Sequence, residues 1–250
     1  PFSAQTLDFL FENRMHNSGE WFKEHRAQFE ELVQRPLVEL SMALGETMLQ
    51  IDPMLITEPK TGKTISRVYR DTRFSKDKML YRANMWLIFM RDKKLYDGLP
   101  GFYVDISEHG LSYGCGYYKM SGQSLESYRD LILHRDPVFL KAKECLEQSE
   151  VFSLEGDLYK RSRFPDEPEE MQNWLNRKNV DAGCLSKDFP LIFSDRLAEK
   201  LKTEFLTLKP FYEFLCKVES HRPHLQAAEY KGWNHTETHP VTNFGFRVLL

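Results

Sequence analysis

Long apolar runs are missing from this chain. No stretch approaches the roughly 18 consecutive apolar residues that a membrane-spanning helix requires, and no basic segment followed by an apolar one marks a secretory signal. Cysteine is sparse: Cys115, Cys145, Cys184 and Cys216 stand singly, without a C-x-x-C pair. That spacing excludes a disulfide framework or a zinc-ribbon pattern and predicts free thiols in a reducing, cytoplasmic setting. A glycine-rich phosphate loop is also lacking, because Gly62-Lys63-Thr64 has Thr57 where the earlier glycine belongs. Ser75-Lys76-Asp77-Lys78 fits a serine–lysine acylation motif, but its Lys60-Thr61-Gly62 partner precedes the serine instead of following it. No internal repeat or low-complexity tract is present.

What remains is an ordinary globular composition. The 250 residues are 41% hydrophobic and 28% charged, with a net charge of −3. A chain of this length buries about 70–75% of its unfolded surface, enough for one large core. Helical periodicity loses its hold after Ser220, so residues 1–220 read as a single domain and 221–250 as a loose tail. That tail carries His221, His224, His235 and His239, which together with Cys216 could suggest a metal site. Ligation needs fixed geometry, so solvated histidines are the expectation.

Within the domain the patterns change twice. Thr6 is positioned to cap a helix with Leu7, Leu10 and Phe11 inward, and Ser18 a second with Trp21, Phe22, Phe29 and Val33 inward. A third continues through Leu37, Leu40, Leu44 and Met48 and stops at Asp52-Pro53. Four strand candidates follow: ISRVYRDTRF, NMWLIFM, GFYVDIS and LSYGCGYYKM. Their close succession predicts an antiparallel meander, not βαβ units. Helices resume at Ser124, at Asp136-Pro137, over PEEMQNWLNRKN, after Ser194 and at Pro210. The predicted fold is α+β: an antiparallel sheet of four to five strands with N- and C-terminal helices packed against one side.

Charge is distributed unevenly. Residues 60–94 hold eleven Lys/Arg and three Asp, a local +8 that leaves −11 on the rest of the chain. Arg67, Arg70, Arg73 and Lys76 recur every third residue, with Tyr69, Phe74 and Tyr81 among them. As a strand, Ile65, Arg67, Tyr69, Asp71 and Arg73 would share one face. Three carboxylates cannot pair eleven cations. A buried unpaired cation costs several kcal/mol, whereas an exposed pair contributes about 0–1 kcal/mol. The surplus bases must be solvated, neutralised by acids from elsewhere in the chain, or turned toward an external anion.

RVYRDTRFSKDKMLYRAN at 67–84 resembles the signature of the DUF2461 family, whose pattern runs close to R-x-x-R-D-x-R-F-S-x-D-K-x-x-Y-x-x-N. Arg67, Arg70, Asp71, Arg73, Phe74, Ser75, Asp77, Lys78, Tyr81 and Asn84 match it, and Leu80 stands where the family usually has proline. The opening TLDFLFENRMHNSGEWFKEHRAQFE is similar to the family's N-terminal helices, with Asn13 and Asn17 in place of an Asn-Asn pair. GDLYKRSRFPDEPEEMQNWLNRKN is similar to a later basic segment. The resemblance covers roughly residues 3–218 and implies no activity and no cofactor.

From the residues themselves, the leading expectation is a binding module. Arg67, Tyr69, Arg70, Asp71, Arg73, Lys76, Asp77, Lys78 and Tyr81 would line a site for a phosphorylated small molecule or a short nucleic acid, because arginine forks match phosphate and aromatic rings stack on bases. The alternatives are a phosphate-ester hydrolase using the Asp71 and Asp77 carboxylates, with Asp105 and Glu108 as further metal candidates, and a scaffold in which the motif is an internal salt-bridge network.

Overall fold

The computed structural model describes residues 1–73, 76–93 and 99–221. Four helical segments open the chain: α1 (Ala4–His16), α2 (Gly19–Glu24), α3 (Arg26–Phe29) and, after a π-helical turn over Glu30–Gln34, α4 (Arg35–Ile51). Thr6 lies inside the first turn of α1 instead of capping it. Its hydroxyl oxygen accepts the Ser3 amide at 3.0 Å and its proton goes to the Leu32 carbonyl at 2.8 Å, tying α1 to the π turn. The buried face of α1 is accordingly Thr6, Phe9, Leu10 and Asn13, and Phe11 is exposed. Asn17 ends the helix in the left-handed region (φ 48°), and Ser18 caps α2 through the Trp21 amide.

The sheet comprises β1 (Met85–Met90), β2 (Pro100–Ser107), β3 (Gly110–Tyr117), β4 (Ser153–Glu155) and β5 (Asp181–Ser186), in the order β1-β2-β3-β5-β4. Every pairing is antiparallel. Between β3 and β4 lie α5 (Gly122–Leu133) and α6 (Pro137–Glu147), and α7 (Glu169–Leu175) separates β4 from β5. The chain continues through α8 (Phe189–Ile192), α9 (Leu197–Thr207) and α10 (Lys209–Ser220). The fold is α+β, with N- and C-terminal helices against one side of the sheet.

Register assigns that side. Met85, Leu87 and Phe89 pair with Ile106, Val104 and Phe102, so their side chains share a face. Phe102 meets Phe205 of α9 at 5.4 Å and Tyr212 of α10 at 5.1 Å between ring centroids. The opposite face has a different composition. It carries Trp86, Asp105 and Ser112 in one row, Ile88, Tyr103, Gly114 and Gly183 in the next, and Met90, Gly101, Gly116 and Asp181 in the third.

One strand expectation needs correction, and one strand was not anticipated. Residues 65–73 do not form a strand of the main sheet. Ser66 donates its amide to the Trp86 carbonyl (2.9 Å) and Ile88 donates to Thr64 (2.8 Å), after which the chain turns onto its own return path. In the other direction, β5 was not legible. DAGCLS is short and poor in strand-formers, and Gly183 is accommodated by a close approach: a Cβ on its partner Gly114 would lie 2.1 Å from the Ala182 carbonyl oxygen.

The four cysteines are free, with Cys115 buried. Among the described residues no helix is long and apolar enough to cross a membrane. His224, His235 and His239, and residues 222–250 generally, lie outside the described residues. His221 is not solvated: a ring nitrogen sits 2.7 Å from the Asp130 carboxylate, and its carbonyl accepts the Ser127 hydroxyl at 2.6 Å.

Candidate functional site

The basic motif flanks the outer side of β1, where residues 64–66 already pair with it. Arg70 donates its amide to the Leu80 carbonyl (2.8 Å) and Arg82 to Val68 (3.0 Å), closing a short hairpin whose arms are 68–70 and 80–82. Alternation holds on its first arm: Arg67, Tyr69, Asp71 and Arg73 are exposed while Val68 is buried. Ile65 departs from that face and enters the core, because it pairs with Leu87 before the chain leaves β1.

The structure divides the expected site residues into an inner and an outer set. Asp77 belongs to the inner set. Its Oδ2 takes the Arg70 guanidinium and, at 3.0 Å, that of Arg14 from the last turn of α1, while its Oδ1 accepts the Met79 amide at 2.9 Å. The Met79 amide and then Arg70 hold the Asp77 carboxyl well below the usual carboxylate range. Arg14 also donates to the Tyr81 carbonyl at 3.2 Å. Tyr81 itself is 0% exposed, its ring packed between Phe22 and Tyr69, and burial raises its hydroxyl pKa.

The outer set faces solvent. Asp71 binds Arg73 through both carboxylate oxygens (2.9 and 2.6 Å), and Arg73 holds the carboxyl down at about 2. Lys78 Nζ donates to the Thr72 carbonyl at 2.9 Å, and Lys76 is exposed. Tyr69 is 50% exposed. Arg67 is exposed and lies over Gly62 (φ +82°), where a Cβ would be 2.8 Å from its Nε. Phe74 and Ser75 lie outside the described residues. Neither Asp71 nor Asp77 is suited to be a general base, since each is ionised and saturated by strong donors. Glu108 lies 3.8 Å from His109, and among the described residues no group of three potential ligands could hold a metal.

An acid from elsewhere in the chain forms an ion pair with Arg91 of the stretch. Arg91 donates to Asp52 at the end of α4 (2.6 Å), which also accepts the Tyr212 hydroxyl. A cavity of about 100 Å³ lies beside them, between Arg91, Pro100, Tyr212 and Cys216. That is small against the ~300–1,000 Å³ of typical ligand pockets.

Arg82 is the residue that the motif pattern passed over. Arg82, Asn84 and Trp86 alternate along the second arm into β1, a period-2 signal that was readable in the sequence. The Arg82 guanidinium stacks 4.2 Å from the Trp86 ring centroid, and its Nε donates to the Arg67 carbonyl at 3.1 Å. Among the described residues no carboxylate lies within 4.0 Å of it. Burial, then the nearby Arg70 charge, lowers its pKa. Next to it on the polar face, Asn84 Nδ2 donates to the Asp105 carboxyl at 2.6 Å. Burial pushes that carboxyl up to about 7, so it is part-protonated at neutral pH.

Farther along the same face, the Tyr103 hydroxyl donates to Asp181 Oδ2 at 2.8 Å. Burial, reinforced by the charge of Glu155 on the neighbouring strand, raises the Asp181 carboxyl to about 8. Glycine is required beside it, because a Cβ on Gly116 would lie 2.5 Å from Asp181 Oδ1.

Fold and site together define an antiparallel α+β domain with a cation-rich hairpin fastened to one sheet edge. A family model described as a conserved hypothetical protein, DUF2461, matches residues 5–214, and the chain belongs to that family. A search of curated proteins found none that matches the chain.

Proposed function

We propose that the chain binds an anionic, phosphate-bearing small molecule at the β1 edge. The observation that carries this reading is Arg82: a half-buried guanidinium, stacked on Trp86, with no carboxylate in ion-pair range among the described residues. Asp105 lies beyond ion-pair range and is part-protonated, so it offsets only part of that charge; a cation removed from water is costly without a full counter-charge, which a bound phosphate would supply. Arg67, whose carbonyl accepts the Arg82 Nε, and the exposed Tyr69, Arg73, Lys76 and Lys78 of the same motif would supply further contacts. Arg70, Asp77 and Tyr81 stand behind them as support, and Asp71 orients Arg73. Part of the scaffold alternative coexists with this reading, since the Arg14–Asp77–Arg70 network ties α1 to the hairpin.

The test is a thermal-shift series with inorganic phosphate, nucleotides, sugar phosphates and short oligonucleotides, on wild type and Arg82→Ala. A ligand at 100 times its Kd stabilises the native state by about 2.7 kcal/mol. The expected result is a rise in Tm for wild type that is smaller in a folded Arg82→Ala protein. Equal shifts in both proteins, or none with any anion, would end the reading.

A further inference from the structure

A second basic cluster lies at the opposite end of the sheet, and local acids do not neutralise it. Residues 157–159 run beside 176–178: Tyr159 donates its amide to the Asn176 carbonyl (2.9 Å) and Lys178 donates to Asp157 (2.7 Å). Asn176 is buried, and its Oδ1 also accepts the Arg163 amide at 2.8 Å. One residue thus fixes both sides of a small cradle around the Tyr159 ring. Three cations crowd that ring. The Arg163 guanidinium lies 3.8 Å from its centroid, Arg129 of α5 lies 5.3 Å away, and the Lys178 ammonium 5.4 Å.

Beneath them is Arg177, 8% exposed, which donates to the Gly156 carbonyl (2.7 Å) and to the Asn173 side chain (2.8 Å). Arg129, 7% exposed, donates to the carbonyls of Leu175 (3.1 Å) and Arg177 (3.4 Å). Both buried arginines therefore have hydrogen-bond partners, but every partner is neutral. Among the described residues no carboxylate comes within 4.0 Å of Arg129, Arg163, Arg177 or Lys178. Glu155 is the acid whose charge reaches Arg177, from beyond that distance. Like charges this close lie within one Debye length, about 8 Å at physiological ionic strength, and repel without full screening.

We infer that the Tyr159 cradle is a second anion site, built for a compact polyphosphate group carrying more than one negative charge. A single carboxylate would offset one of four cations, whereas a phosphate group carries about −1.5 to −2 at neutral pH. Exposed Arg163 and Lys178 contact the anion, and Arg129 and Arg177 supply positive potential from behind. The site shares no residue with the β1 edge.

Calorimetric titration of the full chain with inorganic pyrophosphate tests this, alongside the Arg163→Ala/Lys178→Ala double variant and, separately, Arg82→Ala. Both residues of the double variant are exposed, and the backbone contact at Arg163 survives truncation, so that protein keeps its fold. The expected outcome is a saturable binding step in wild type that weakens at least about tenfold in the double variant and persists in Arg82→Ala, which can lose only a separate step at the β1 edge. Loss in Arg82→Ala with none in the double variant would place the anion at the β1 edge, sustain the first reading and overturn this one. Identical titrations of all three proteins, or no binding to wild type, would also overturn it.

Discussion

The two edges of the sheet carry positive charge in opposite ways. Beside β1, acids are interleaved with bases: Asp77 joins Arg14 to Arg70, Asp71 holds Arg73, and Asp52 reaches Arg91 from α4. Beside β4 and β5, Arg129 and Arg177 are deeper in the protein yet meet backbone carbonyls and an amide oxygen. In the first region charge contributes to holding the structure, with Arg82 as the exception. In the second, the structure holds charge that it does not neutralise. A count of bases along the sequence finds the first kind, and only spatial placement finds the second.

The largest expected effect concerns the polar face between those edges, where Asp105 adjoins Arg82 and Asp181 lies opposite Glu155 on β4. Both folded-state carboxyl pKa values, about 7 and about 8, are raised above the ordinary 3.8. The folded state therefore binds more protons than the unfolded chain between pH 4 and 8, and stability falls as pH rises through that window. Over the whole window the loss should reach a few kcal/mol. Melting curves from pH 5 to 9 should show a declining Tm. Asp181→Asn should leave a decline that levels off above about pH 7, and Asp105→Asn one that levels off above about pH 8. A Tm that is flat across this range would mean that neither carboxyl is desolvated as described, and that the face is as wet as the edges.

Next in size is Asp77→Ala, which leaves Arg14 and Arg70 half-buried around a missing counter-charge. Breaking a buried pair costs about 3–5 kcal/mol, and partial exposure of this one brings the expectation to about 2–3 kcal/mol. Chemical denaturation should register it as a lower midpoint with an unchanged slope. A cost below about 0.5 kcal/mol would put the β1 edge in the same category as the other.

Much of this was readable before any fold was known. A short apolar run located β1, two runs joined by the turn at Glu108-His109-Gly110 located β2 and β3, and Asp136-Pro137 and Ser18 located helix starts, because each signal is local. β5 was not readable: Gly183 and Ala182 carry little strand preference, and their pairing depends on Gly114 arriving from elsewhere in the chain. The motif was legible as a unit but not its division into layers. Tyr81 reads like Tyr69 in sequence, yet packing against Phe22 buries one and leaves the other half-exposed. Arg129 and Arg177 gave no signal at all, since they meet only after α5 and the 157–178 segment are brought together.

A smaller effect would sharpen the contrast. Arg177→Met replaces an unpaired buried cation by an apolar chain of similar length. Where a buried charge lacks a carboxylate partner, such replacement is often neutral or stabilising, so the expected change is within about 1 kcal/mol and in the stabilising direction. The same variant should weaken pyrophosphate binding, because it removes potential from behind the cradle. Destabilisation above about 2 kcal/mol would instead mean that the bonds to Gly156 and Asn173 hold the local structure, making this edge as structural as the other.

The smallest effect separates the two sets within the motif. Arg73 and Asp71 form an exposed pair between residues two apart, and solvent screening leaves such a pair little stabilising effect. Arg73→Ala should therefore shift Tm by less than about 2 °C, in contrast to Asp77→Ala only four positions away. Its effect should appear in ligand affinity, since removing it also frees Asp71 as a negative charge on the exposed side of the hairpin. The Arg73→Ala/Asp71→Ala double variant distinguishes the two contributions. If the lost affinity comes from the freed carboxylate, removing Asp71 as well should recover most of it. If Arg73 itself grips the anion, the double variant should bind as weakly as the single one. Should Arg73→Ala unfold the hairpin, the pair would belong with Asp77 among the groups that hold this edge together.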